Sequence, residues 1–390
     1  MSLLVLPVMT VISMQKQPFS RRQFLQVTGT LAAGMGLSAC GINSEPSVER
    51  GLILSANDDA DGKHYLTGFH LQQGKQFSVE VPFRGHGLCV NPAQAREVIL
   101  FGRRPAMQCA AINTDTQHIA HTFNATSGRH FYGHGCFSAD GRYLFTTEND
   151  YANGVGKIGI RSLPDYQHVG EFPSYGIGPH DIHLLSDGYT FVVANGGIQT
   201  HPDYPRRKLN LPTMSPSLTY IDSRSGALID RYTLDNHQLS IRHLHVSEND
   251  DVGAALQFKG KRASLKSALP LIAIQRSGGP LSLVDGPESI MASLSYYTAD
   301  ICLNPVAGVF AVTSPRGDKV TFWDYKTQAF IGEHLVQGVS GIVNSRDYRS
   351  FIISTGKGVV QVIDAHSRTI IEPLTATFNA TRWDNHMVIA

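Results

Sequence analysis

The sequence predicts an all-β chain: a seven-bladed β-propeller whose closing blade is shared between the N- and C-terminal strands, preceded by an N-terminal signal helix. Three observations predict it. Short apolar strands ending in a polar turn residue recur seven times: GFHLQQGK, AAINTDTQ, IGIRSLPD, TYIDSRSG, IAIQRSGG, TFWDYKTQ and QVIDAHSR. From His70 to Asp364 their mean spacing is 49 residues, the length of a four-stranded blade with some long loops. Finally, the chain starts its strands at RGLILSANDD, a second strand without a first, and finishes at TRWDNHMVIA, a first strand without a second. Sharing one blade between the two ends removes the open sheet edges.

Each recurrent segment is preceded by another strand, such as EVILFGRR, RYLFTTEN, TFVVANGG, GVFAVTSP or SFIISTGK, with alternating, β-branched or aromatic character. SADG, LSDG, VNPA and LNPV supply the turns between first and second strands. No linker divides the body, so residues 51–390 read as one propeller. Residues 1–39 read as a signal peptide and 40–50 as a tether. The signal is Arg21-Arg22 followed by Phe24, Leu25 and an apolar, acid-free stretch ending in LSAC. That is a twin-arginine export signal joined to a lipobox, with Cys40 as the acylated residue. Gly41 in place of an Asp favours the outer membrane, and the start is Met1 or Met14. The expected location is the periplasm, with the lipid as the only tie to a membrane.

The leader carries Lys16, Arg21 and Arg22 and no acid, so of 33 basic and 32 acidic residues the remainder keeps 30 and 32, a net charge of −2. That excludes a nucleic-acid binder. Cys89, Cys109, Cys136 and Cys302 form no CxxC or CxxCH, and Cys89, Cys136 and Cys302, at similar places in successive repeats, read as small buried hydrophobes. Two tryptophans, Trp323 and Trp383, are too few for a propeller with one Trp motif per blade around a quinone cofactor. No serine or cysteine sits in a recognisable nucleophile elbow.

Histidine recurs just before or within the first strand of successive repeats: His86 in FRGHGLCV, His134 in FYGHGCF, His180 in GPHDIH, His243 in IRHLHV and His386 in DNHMVI. First strands line the channel of a propeller, so these five are expected to ring one mouth and to bind a metal, copper or iron foremost. The alternative is that each His-Gly simply shapes a turn. Glu148, Asp150, Asn195, His201 and Asp203 are expected on the same rim, as ligands or supports or as plain turn formers. Long connections between second and third strands, TENDYANGVG, NGGIQTHPDYPRRKLNLPTMSPS and QFKGKRASLKSALP, are expected to rise around it. They carry Arg206, Arg207, Lys208 and Lys259, a positive patch suited to an anion or an acidic partner surface.

RHFYGHGCFSADGRYLFTTEND, GIGPHDIH, VVANGGIQTHPDYPRRKLNL and LSIRHLHV resemble the signature segments of a bacterial periplasmic propeller family, domain of unknown function 1513. That family is similar to YVTN-type and quinoprotein-dehydrogenase-like propellers. The resemblance spans essentially the whole mature chain. It implies export and a role in iron or other metal acquisition. The partners it implies are imelysin-like lipoproteins and a di-haem oxidoreductase-like protein. It supplies no catalytic residues. Three classes stay open: a non-enzymatic binding or scaffold protein, which is preferred; a metal-dependent hydrolase or oxidoreductase; and a ligand-free interaction platform.

Overall fold

A computed structural model describes residues 51–390 apart from 205 and 206; Arg21, Arg22, Cys40 and Arg206 lie outside the described residues. Seven four-stranded antiparallel sheets follow one another. We number blades 1 to 7 by their inner strands: Gly85–Asn91, Arg129–Phe137, Pro179–Leu184, Leu239–Val246, Asp300–Asn304, Val339–Asn344 and Arg382–Ile389. Blade 7 joins the last strand of the chain to the first three, Ile53–Asp58, His64–His70 and Gly74–Val81.

Second strands are covered on both faces by neighbouring blades. Thr190–Asn195, Val252–Phe258 and Val309–Ser314 are buried at every position, which is why they read as continuous apolar runs rather than alternating ones. Third strands end in an Asx turn. Asp324 accepts hydrogen bonds from the amides of Lys326 and Thr327, and Asp364 from those of His366 and Ser367. Asp222 does the same for Arg224 and Ser225. This local chemistry is the physical source of the sequence repeat.

Two of the three expected insertions are long connections, 196–216 in blade 3 and 259–271 in blade 4. The third is not: in blade 2 the strands Tyr143–Asp150 and Val155–Ser162 are joined by a four-residue turn, Tyr151–Gly154. Asp150 holds that turn by accepting from the Asn153 amide at 3.1 Å and its side chain at 2.9 Å.

The inner strands are irregular where it matters. Pairing with the second strand breaks between Gly85 and Leu88, Phe131 and Gly135, Pro179 and Asp181, Ile241 and Leu244, and Trp383 and Met387. Each break contains one of the five recurrent histidines. Blade 6 breaks at Ser340-Gly341, and blade 5 pairs regularly through Asp300. A bulge releases a residue from the in-out alternation and re-aims its side chain, here toward the axis.

Ring closure rests on Ile53, Leu54, Ser55 and Asn57 pairing with Ile389, Val388, Met387 and Trp383. Trp383 is 4% exposed and packs against Phe69 and Phe378, each with ring centroids 5.1 Å away. Truncating it opens a cavity at the seam. Trp383→Ala should cost about 3–5 kcal/mol in denaturant unfolding; a loss below about 1 kcal/mol would contradict this account of the closure.

Candidate functional site

Five imidazoles meet on the axis. His86, His134, His180, His243 and His386 pack with ring centroids between 4.3 Å (His243–His386) and 6.0 Å (His86–His180). Glycines allow it. A Cβ on Gly87 would lie 2.5 Å from the Gly133 carbonyl oxygen and 2.8 Å from His134 Nδ1, and one on Gly133 would lie 2.7 Å from His86 Cδ2. Gly133 also has φ +110°, a conformation L side chains rarely adopt. The His-Gly and Gly-His pairs thus let rings from adjacent blades nest.

The rings are held from behind. His86 Nδ1 donates to Asp384 Oδ1 at 2.6 Å, His134 Nδ1 faces Asp181 Oδ1 at 3.2 Å, and His386 Nδ1 faces Asp300 Oδ2 at 3.4 Å. A second chain has only one consistent direction. Arg242 is a pure donor, so His180 Nδ1 accepts from its Nη1 at 3.2 Å. His180 Nε2–H then donates to His243 Nε2 at 2.8 Å, and His243 Nδ1–H donates to the Ala299 carbonyl. In His86, His134 and His243 the acceptor facing Nδ1 holds the proton there and leaves the lone pair on Nε2, that of His243 already accepting from His180. His134 Nε2 and His386 Nε2 are buried with no hydrogen-bond partner. One ligand atom from each of His86, His134, His243 and His386 lies within 4.8 Å of the others. His180 stands beside this group of four, bonded to it through His243.

Burial dominates the electrostatics. It pushes His86 down to about 4 against the pull of Asp384. His134, His180 and His243 fall well below the ordinary imidazole value by burial first; Asp181 opposes this at His134, Arg242 adds to it at His180, and the neighbouring rings add to it at all three. His386 goes the other way: burial depresses it, but Asp300, Asp181 and Asp384 together outweigh burial. Burial would raise Asp181 and Asp384, yet the facing histidines, and Arg103 beside Asp384, hold both well below the carboxylate range. Asp181 Oδ2 also accepts from the Leu244 amide at 2.9 Å, tying blade 3 to blade 4.

The two sides of the cluster differ. Toward the turns between first and second strands lies a cavity of 510 Å³, lined by His134, Asp181, His183, His245, Asp300 and His386 among others. On the opposite side, where second strands end, lie Arg103, Arg104 and Arg242. Arg103 pairs with Asp384. Arg242 is 4% exposed, and among the described residues neither it nor Arg104 pairs with a carboxylate. Arg242 is pushed down to about 9 by burial and by Arg104. Lys259 is pushed down to about 5 by burial, then by Arg242, Lys208, Arg104 and Arg316.

The remaining expected rim residues are not brought to the histidines. Glu148 is fully buried inside blade 2, accepting from Thr146 at 2.8 Å and Arg161 at 3.0 Å. Its strand pairs regularly with the third strand of the blade, where Glu148 stands opposite Lys157, and its carboxylate is held by Arg161 of that third strand. Asp150 caps its turn. Asn195 bonds the Ser174 carbonyl and Thr219, both at 3.1 Å. His201 lies 3.6 Å from exposed Asp203 and edge-on to Tyr151, while Arg207 stacks over Tyr204. Lys208 and Lys259 share a groove between the two insertions. Sequence reasoning missed Asp181, Asp300, Asp384, Arg104 and Arg242. A signal was there: Asp181 follows His180, Asp384 precedes His386 by two, Arg242 precedes His243, and Asp300 opens its own first strand.

A family model described as Protein of unknown function (DUF1513) matches residues 79–390. No curated protein matches. Hydrazine synthase from Kuenenia stuttgartiensis is similar in fold, with a TM-score of 0.59 at 11% identity over 83% of this chain and 94% of that one.

Proton linkage follows from the depressed rings. His86, His130 and His245 sit at about 4, and His134, His180 and His243 are also lowered, whereas His183 and His386 are raised. Unfolded histidines protonate near 6.5. Between about pH 6.5 and 4 the unfolded chain therefore binds more protons, and six lowered rings outweigh two raised ones. Stability should be present above pH 6.5 and lost as pH falls toward 4. Melting temperature against pH checks this. His130→Gln should show a shallower slope by about one proton; an unchanged slope would mean that ring does not titrate as assigned.

Proposed function

The chain belongs to the DUF1513 family, and from that premise we propose that it is an exported, lipid-anchored propeller that binds a metal ion on its axis, as a binding or scaffold protein in iron or other metal acquisition. One observation carries the metal reading: four imidazole nitrogens within 4.8 Å, two of them buried and unpartnered. A buried acceptor without a partner costs about 1–3 kcal/mol, and a cation with open coordination positions is the partner four imidazoles suit. The carboxylates behind three rings fix the tautomer and raise ligand basicity, the usual support of a metal-bound histidine. An all-imidazole set favours copper, iron or zinc over magnesium or calcium. Export and anchoring rest on Arg21-Arg22 and on the LSAC segment ending at Cys40.

Calorimetric titration of Cu(II), Zn(II) and Fe(II) is the test. Wild type should bind at least one of these ions, and His134→Ala/His386→Ala should abolish that binding without unfolding the protein. Asp181→Asn should weaken it about 10–100-fold, since the ring loses its anionic support. If wild type and the double histidine variant titrate alike, the histidines serve packing alone. For the anchor, Cys40→Ser should move the protein out of the membrane fraction or leave it unprocessed, and unchanged attachment would count against lipidation.

A further inference from the structure

A cluster of like charges sits over the histidines without an anion to balance it. Arg104, Arg242, Lys208, Lys259 and Arg316 all stand on the face where second strands end and inner strands begin, and Arg242, Arg104 and Arg316 lower the proton affinity of both Lys208 and Lys259. They come from five places: the end of a second strand in blade 1, the inner strand of blade 4, each of the two long insertions, and the turn after Ser314 in blade 5. Among the described residues none of the five pairs with a carboxylate; Arg103 beside them is already committed to Asp384. Arg242 Nε is buried with no hydrogen-bond partner. Arg316 lies 4.7 Å over the Tyr297 ring. A groove of 720 Å³ lies between the insertions, with Lys208, Lys259 and Lys261 on its sides and no carboxylate in its lining.

Folding does not bury the Arg242 guanidinium at 4% exposure, with no carboxylate beside it, without cost, and burial beside these guanidinium groups favours the neutral form of Lys259. An anion would remove that cost on binding. We propose that this basic vault is a binding site for a small, multiply charged oxyanion, whose carboxylate or phosphate oxygens pair with Arg104, Arg242, Lys208 and Lys259. Planar guanidinium groups take such oxygens two at a time, Lys208 adds point charge, and Lys259 regains its proton as the anion arrives. The site goes beyond the metal reading, because none of these cations is a candidate metal ligand. Its place directly above the histidines means that an anion held there would lie beside any ion they bind.

The test uses the full chain stripped of metal, titrated calorimetrically at low ionic strength with citrate in one arm and inorganic phosphate in the other. At least one anion should bind at a single site, and the arm that binds identifies the carboxylate or phosphate source. Arg104→Gln and Lys259→Gln should each weaken that binding about tenfold or more, with melting temperature unchanged or raised, since each removes a basic group that no carboxylate balances. The His134→Ala/His386→Ala protein should keep its anion affinity, so loss of metal binding and loss of anion binding are separable outcomes. The proposal is overturned if neither anion binds. It is equally overturned if Arg104→Gln/Lys259→Gln binds like wild type, or if binding disappears with the histidines instead of the cations.

Discussion

The pairing of the last strand with the first holds the rest of the molecule in place. It closes the ring, leaving no blade with an unpaired edge at the seam. It also inserts Asp384 and His386 into the axis. Asp384 is the shared acceptor for His86, Arg84 and Arg103 in blades 1 and 7, and His386 stacks edge-on against three of the other four rings. A strand that seals the fold therefore completes the site. Its two ends come from opposite termini of the propeller, so the site cannot form before the chain has closed.

The centre of this propeller is a region where desolvation sets the rules. Apolar packing surrounds it, and the second strands of blades 3, 4 and 5 are buried throughout. Burial alone drives most of the rings to the neutral, ligand-competent form, and the three aspartates then decide which nitrogen carries the proton. Where carboxylates outnumber the cationic neighbours, at His386, the balance tips back toward charge. On the far side of the rings the same low dielectric makes unpaired guanidinium and ammonium groups costly. The molecule thus carries two unbalanced features on one axis: unpartnered acceptors among the histidines and unpartnered donors above them. Both are defects in a bare fold and assets for binding.

Much of this architecture was legible in the chain. Asx turns such as DYKTQ at Asp324 and DAHSR at Asp364 repeat because each blade turns the same way, and their spacing alone leads to seven blades. The split closing blade was legible because a second strand with no first at one end and a first with no second at the other have one economical solution. The five histidines stood out as a recurrent position. Local pattern misled at Glu148 and Asp150: TEND reads as a rim, but the Glu148 carboxylate is held by Arg161 of the third strand, and Asp150 merely closes a short turn.

What the sequence determined by itself is therefore everything set by local chemistry: strand period, turn type, blade count, the shared last blade, and which residue type returns at the head of each inner strand. What only the tertiary structure decided is where those side chains aim. A bulge shifts a residue off the alternation by one position, too small a change to appear in hydrophobic pattern, yet it turns His180 from a blade face to the axis. Pairings such as His86 with Asp384, 298 residues apart, and the gathering of Arg104, Arg242 and Lys259 arise from closing the ring. They depend on distances across the channel, which no stretch of sequence encodes.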